Sequence, residues 1–102
     1  GLQYVFERPF LKLSEQFLQR YTGEFWGGVV EGQPLFPVNV SVAGKGLLSF
    51  NDGQQSFQLQ AENETSFYWK GANITATFTG TDKFVFNSQG TLFYFQRVNP
   101  QQ

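Results

Sequence analysis

Two hydrophobic periods meet near Thr22. Before it, Phe17, Leu18 and Tyr21 recur at the i, i+1, i+4 spacing of one helical stripe. After it, apolar and polar positions alternate: Val38, Val40 and Val42 with Asn39 and Ser41, Phe57, Leu59 and Ala61 with Gln58 and Gln60, and Ile74, Ala76 and Phe78 with Thr75, Thr77 and Thr79. Strict alternation puts one face of a strand against a core and the other in water. The pattern predicts strands over Thr22–Val30, the stretch ending at Val42, Leu47–Phe50, Phe57–Ala61, Thr65–Lys70, Ile74–Thr79, Lys83–Asn87 and Gly90–Val98. The helix is short, about Ser14 to Tyr21, and has its own start signals. Ser14 is a helix N-cap, Glu15 sits where the helix dipole favours negative charge, and Leu13 and Leu18 occupy the two positions of a hydrophobic staple.

Turn chemistry separates neighbouring strands, as in Gly44-Lys-Gly46, Asn51-Asp-Gly53, Gly80-Thr-Asp82 and Asn87-Ser-Gln-Gly90. Glycine and Asn supply the positive φ angles of tight hairpins, and connections this short favour antiparallel neighbours. An open meander of eight strands would leave two bare edges, and closing it removes both. The predicted fold is therefore all-β, an eight-stranded antiparallel up-and-down barrel with one short N-terminal helix. Its interior has room for side chains or one small ligand. Gly27 and Gly28 are expected to supply a bulge or bend in the first strand. Pro9 biases Arg8 away from helix, so residues 1–13 read as an extended lead-in, 14–98 as the barrel domain and 99–102 as a flexible tail.

Aromatic side chains make up 19% of the 102 residues against 15% charged, with 13 Phe. Each buried ring removes a large apolar area from water at roughly 25 cal/mol per Å², so the aromatics carry stability. With a net charge of -1 and scattered Lys and Arg, there is no electrostatic footprint for nucleic acid or an anionic membrane surface. No apolar run approaches the ~18 residues of a membrane span, and no signal peptide is present. The chain lacks Met, and Gly1 is the kind of residue tag removal leaves, so it reads as a fragment or processed product.

The absence of Cys and His removes disulfides, thiolate chemistry, the usual neutral-pH general base and the commonest metal ligand. A serine nucleophile would need a desolvated Lys, and Lys12, Lys45, Lys70 and Lys83 fall in the lead-in, turns or strand ends. The carboxylates fall mostly in turns and on wet faces, where a matched acid and base is hard to set up. Gly44-Lys-Gly46 lacks the strand-loop-helix setting of a phosphate cradle, and a tight Asn51-Asp-Gly53 turn accounts for Asn51 and Asp52 without Ca²⁺. No catalytic residue, cofactor or metal is expected. Asn39, Asn63 and Asn73 each begin an Asn-x-Ser/Thr triplet, a glycan acceptor only in a eukaryotic secretory setting.

Binding is a better prospect than catalysis. If Phe25 points inward, Trp26 points out with Glu24; if Phe67 and Trp69 point inward, Tyr68 points out. Leu92-Phe-Tyr-Phe-Gln96 is apolar on both faces, which suits a strand packed outward on the helix, the lead-in or another protein. Trp26, Tyr68, Phe93, Tyr94 and Arg97 are the candidate interface residues.

The ordered set Tyr21-Thr-Gly-Glu-Phe25, Pro37-Val-Asn-Val-Ser-Val42, Gly46-Leu-Leu-Ser-Phe50, Gln58-Leu-Gln60, Ser66-Phe67, Ala76-Thr-Phe78 and Phe95-Gln-Arg-Val98 resembles a small lipocalin-like domain of unknown function. That domain is found C-terminal to serine beta-lactamase-like and penicillin-binding-protein-like hydrolases. Its usual Asp-x-Gly turn before the last strand stands here as Asn87-Ser-Gln-Gly90. The resemblance implies a bacterial, periplasmic or extracellular setting. It also implies a non-catalytic accessory domain that packs on, shields or oligomerises an attached hydrolase. The Ser-x-x-Lys nucleophile motif of such hydrolases occurs nowhere in this sequence. The alternative is a carrier of a small hydrophobic ligand, against which so many Phe in so short a chain argue for a filled interior.

Overall fold

Alternation decides which side chains line the inside, and the computed structural model, which describes residues 11–69 and 71–98, turns it into a closed barrel. Its strands are β1 (Gly23–Gly28), β2 (Phe36–Gly44), β3 (Leu47–Asn51), β4 (Ser56–Ala61), β5 (Ser66–Tyr68), β6 (Ile74–Thr79), β7 (Lys83–Ser88) and β8 (Thr91–Arg97). Each pairs antiparallel with the next, and β8 returns to β1. All eight predicted strands form. β2 runs on to Gly44, and β5 is only three residues long. The first ten residues of the expected lead-in, Lys70 at a predicted strand end and the expected tail over 99–102 lie outside the described residues.

One end of the barrel is stoppered by α1 (Glu15–Leu18), which tightens into a 3-10 turn at Gln19–Tyr21. Ser14 is its N-cap, with Oγ accepting from the Phe17 amide at 3.1 Å. The helical stripe then falls where its spacing puts it. Leu18 is fully buried, and the Tyr21 ring stacks on Phe78 at 4.1 Å and meets Phe67 edge-on at 5.7 Å. The Tyr21 hydroxyl donates to the Glu64 carbonyl at 2.6 Å, tying the stopper to the β4–β5 turn. No helix among the described residues is long and apolar enough to cross a membrane.

Inside, Phe78 and Phe84 are the centres of the ring cluster, Phe84 with ring centroids at 5.0 Å from Phe25, 5.4 Å from Phe50, 4.9 Å from Phe78 and 4.8 Å from Phe95. Around these rings Val40, Leu48, Leu59, Ala61 and Ala76 are almost wholly buried, and no polar or charged residue among those described is buried with them. Edge-to-face and offset pairs of this kind add about 0.5–1.5 kcal/mol each beyond area burial, so the ring cluster holds the barrel's two halves together.

The β1–β8 seam corrects the expected role of the paired glycines. Gly27 and Gly28 sit in unbroken register opposite Phe95 and Tyr94, and the register shift among the described strands lies instead between Val42 and Gly44, in β2. What the seam needs is closeness. A Cβ on Gly27 would overlap the Tyr94 carbonyl oxygen and come within 2.6 Å of the Phe95 ring. Only a residue without a side chain lets the first and last strands meet.

Candidate functional site

The seam that closes the barrel also builds its outer groove. Across β7, β8 and β1 the register lines up Lys83, Gln96 and Trp26 in one row and Val85, Tyr94 and Gly28 in the next. These are outward positions, since Phe84 and Phe95 in the row between them, opposite Gly27, are buried. Gly28 leaves the end of the second row bare, and Leu35, held by its amide to the Gly27 carbonyl at 2.8 Å, overhangs it. The result is an open groove of about 750 Å³, lined chiefly by Trp26, Tyr94, Val85, Lys83, Gln96 and Pro34.

Trp26 is 38% exposed, and its indole N–H donates to Glu24 Oε2 at 3.0 Å on the same face of the strand. Beside it, Val29, Val30 and Leu35 are at least half exposed, so the loop between β1 and β2 extends the apolar surface beyond the groove. Trp26 thus stands on the outside, as alternation from Phe25 predicts, and Tyr94 shares the groove with it. The signal for the surface beside the groove, Gly28 and the apolar loop, was present in the sequence as Gly-Gly-Val-Val but carries no meaning until the register is known.

Of the other three candidate interface residues, Tyr68 and Phe93 lie away from the groove and Arg97 lines it. Tyr68 lies on the opposite face of β5 from the core residue Phe67, yet it is only 4% exposed, and its hydroxyl donates to Gln60 Oε1 at 3.3 Å from the register partner on β4. An outward-pointing ring need not be a free one. Phe93 points inward: its ring meets Phe36 edge-on at 5.8 Å. The two-sided apolarity of β8 therefore resolves into Phe93 and Phe95 inside and Leu92 and Tyr94 outside. Trp69 lies past the end of β5, edge-on to Phe57 at 5.3 Å, and remains 41% exposed.

Arg97 is the third, and it is part of the architecture. Its guanidinium lies 4.6 Å over the Phe25 ring at the stoppered end. Nε donates to Asp82 Oδ1 at 3.0 Å, Nη1 to the Thr22 carbonyl at 2.6 Å, and Nη2 to the Arg20 and Thr81 carbonyls at 3.1 and 2.6 Å. Planar and forked, it satisfies the last carbonyls of the 3-10 turn and clamps β1, the β6–β7 turn and β8 at once. Gly23, at φ 134°, makes the room: a Cβ there would sit 2.5 Å from Nη1.

At the end opposite the helix the barrel has a mouth of about 150 Å³, walled by Phe36, Phe50, Phe57, Phe86, Phe93 and Phe95, with Asp52, Gln55 and Ser88 also lining it. A carrier of drug-sized ligands needs about 300 Å³ or more. The interior rings leave half of that. Asp52 Oδ1 accepts from the Gln54 and Gln55 amides at 2.9 Å each, while Asn51 Oδ1 takes the Gly53 amide at 2.7 Å. This is the expected tight turn. The Gln55 amide, then that of Gln54, holds the Asp52 carboxyl below its ordinary range.

Other carboxylates also have structural partners, Glu24 with Trp26 and Asp82 with Arg97, and no group of three acidic side chains gathers as a metal site among the described residues. Asn39 and Asn73 are exposed, and Asn63 Oδ1 accepts from the Thr65 and Ser66 amides in the β4–β5 turn. No family model, no curated protein and no solved structure matches the chain.

Proposed function

We propose that this barrel is a non-catalytic packing module that binds a protein neighbour through the outer face of β7, β8 and β1. One observation carries the reading: Trp26 and Tyr94 share a groove on the sheet beside an exposed apolar loop of Val29, Val30 and Leu35. Exposed apolar groups gathered this way mark interaction sites, whereas singly scattered ones need no explanation. Trp and Tyr are also the side chains most enriched at the energetic centres of interfaces. The ordered motif resemblance makes the neighbour a serine beta-lactamase-like hydrolase domain, which this barrel would shield or help to oligomerise.

The test mixes the barrel with such a hydrolase domain, produced separately, in sedimentation velocity and calorimetric titration. The expected result is a complex that Trp26→Ser with Tyr94→Ser weakens at least tenfold while the thermal midpoint stays close to that of the parent. Undiminished binding by the double variant overturns the assignment of this face. Self-association of the barrel alone, lost in the same variant, makes a second copy the neighbour in place of a hydrolase. Robust turnover of nitrocefin or p-nitrophenyl esters by the barrel alone overturns the non-catalytic reading.

A further inference from the structure

The mouth has a chemical character that neither a filled core nor the outer groove requires. Six phenylalanines form its wall, Gln55 and Ser88 contribute neutral polar groups, and Asp52 is the one charged residue lining it. Its volume, about 150 Å³, matches cavities that stay dry and accept a single benzene-sized ring. A fused bicycle bearing an arm, or a fatty chain, exceeds it. Phe57 meets Phe86 and Phe36 meets Phe93 with ring centroids 5.8 Å apart, and Phe36, Phe57 and Phe93 are only partly buried, so their rings are reachable from the mouth.

Asp52 supplies the selectivity. The β3–β4 turn anchors its carboxylate through Oδ1, leaving Oδ2 outside those two bonds. A carboxylate held at the edge of an aromatic wall attracts a cation and repels an anion, and ring faces add their own attraction for a cation within about 6 Å. We infer that the barrel mouth binds a single aromatic ring bearing a short cationic arm, the chemistry of an aryl-alkyl ammonium. This site is on the opposite side of the core from the helix, and it stands or falls independently of the outer face.

The probes are benzylamine, toluene, phenylacetate and 1-naphthylmethylamine, added singly to the barrel in titrations followed by amide and Phe-ring NMR shifts. Shifts should centre on Phe36, Phe57, Phe93 and the Asn51–Gln55 turn. Benzylamine should bind about five- to tenfold tighter than toluene, the range expected of a partly exposed charge contact with a cation–π contribution. Phenylacetate and the naphthyl probe should not saturate. Asp52→Asn keeps an oxygen for the turn amides and should bring benzylamine down to toluene. Ser88→Leu fills the mouth and should abolish binding of both. An amide spectrum matching the parent shows that each variant has folded. Should Ser88→Leu fail to fold, Phe93→Trp fills the same space from β8 and reads out the same way. The inference is overturned by equal binding of benzylamine and phenylacetate, by shifts that centre on Trp26, or by benzylamine binding that survives the filled mouth.

Discussion

Replacing Arg97 with Ala should destabilise the barrel by about 2.5–5 kcal/mol, and the figure follows from what the guanidinium touches. The bond to the Thr22 carbonyl, 2.6 Å long and partly buried, is a charge-assisted one worth about 1.5–3 kcal/mol. The Asp82 contact counts for less, about 0.5–1 kcal/mol, because that carboxylate is 47% exposed and solvent screens it. Stacking on Phe25 adds about 0.5–1 kcal/mol. The bonds to Arg20 and Thr81 are exposed, and water replaces them at little cost, so they are counted as zero. Urea unfolding at neutral pH, followed by tryptophan fluorescence, measures the loss. For a domain of this size the thermal midpoint should fall by roughly 10 °C or more. Arg97→Lys keeps the charge but cannot present a planar fork to four acceptors, and should recover no more than half the loss. A cycle with Asp82→Ala should give a coupling of about 0.5–1 kcal/mol. If Arg97→Ala changes stability by less than about 0.5 kcal/mol, the clamp is not structural and the side chain returns to the list of interface candidates.

Gly27→Ala forces a methyl against the Tyr94 carbonyl and the Phe95 ring, so it should cost about 1–3 kcal/mol in the same unfolding assay; a neutral effect would mean the seam is looser than its geometry. Tyr21→Phe should cost about 1 kcal/mol near neutral pH by leaving the Glu64 carbonyl without its donor. Burial holds the Tyr21 phenol above its ordinary 10.0, so its contribution is complete below pH 10 and is lost as pH rises through the native value. The difference between the parent and Tyr21→Phe should therefore shrink in unfolding curves taken above pH 10, and a constant difference would count against that burial.

The residues that could be read in advance share one property, that their roles are local. Ser14 caps the helix three residues ahead, Phe25 and Trp26 take opposite faces because they are adjacent in a strand, and the Asn51–Gly53 turn folds on itself. Arg97 could not be read this way, since its acceptors at Arg20 and Thr22 lie 77 and 75 residues away in the chain. In the sequence it is only a charge at the end of an apolar strand. Gly27 was legible as a special position but not as the point where β8 approaches. Tyr68 failed for a different reason: alternation gives the face, and only tertiary packing says whether that face is covered. The mouth was invisible because its wall is drawn from β2, β3, β4, β7 and β8, and its one charge from a turn already accounted for by its own hydrogen bonds.

The pairing of the first strand with the last sets the order in which the barrel can be born. While the chain is being made, β2 to β7 can pair as each hairpin emerges, but the outer rows of N–H and C=O groups on β1 and β7 stay bare until β8 follows. When Arg97 arrives, one event zips the seam, seats the guanidinium beneath the helix turn and removes both open edges. A chain stalled or trimmed before β8 begins at Thr91 is thus a curled sheet with two sticky margins, and its natural fate is to find another such chain.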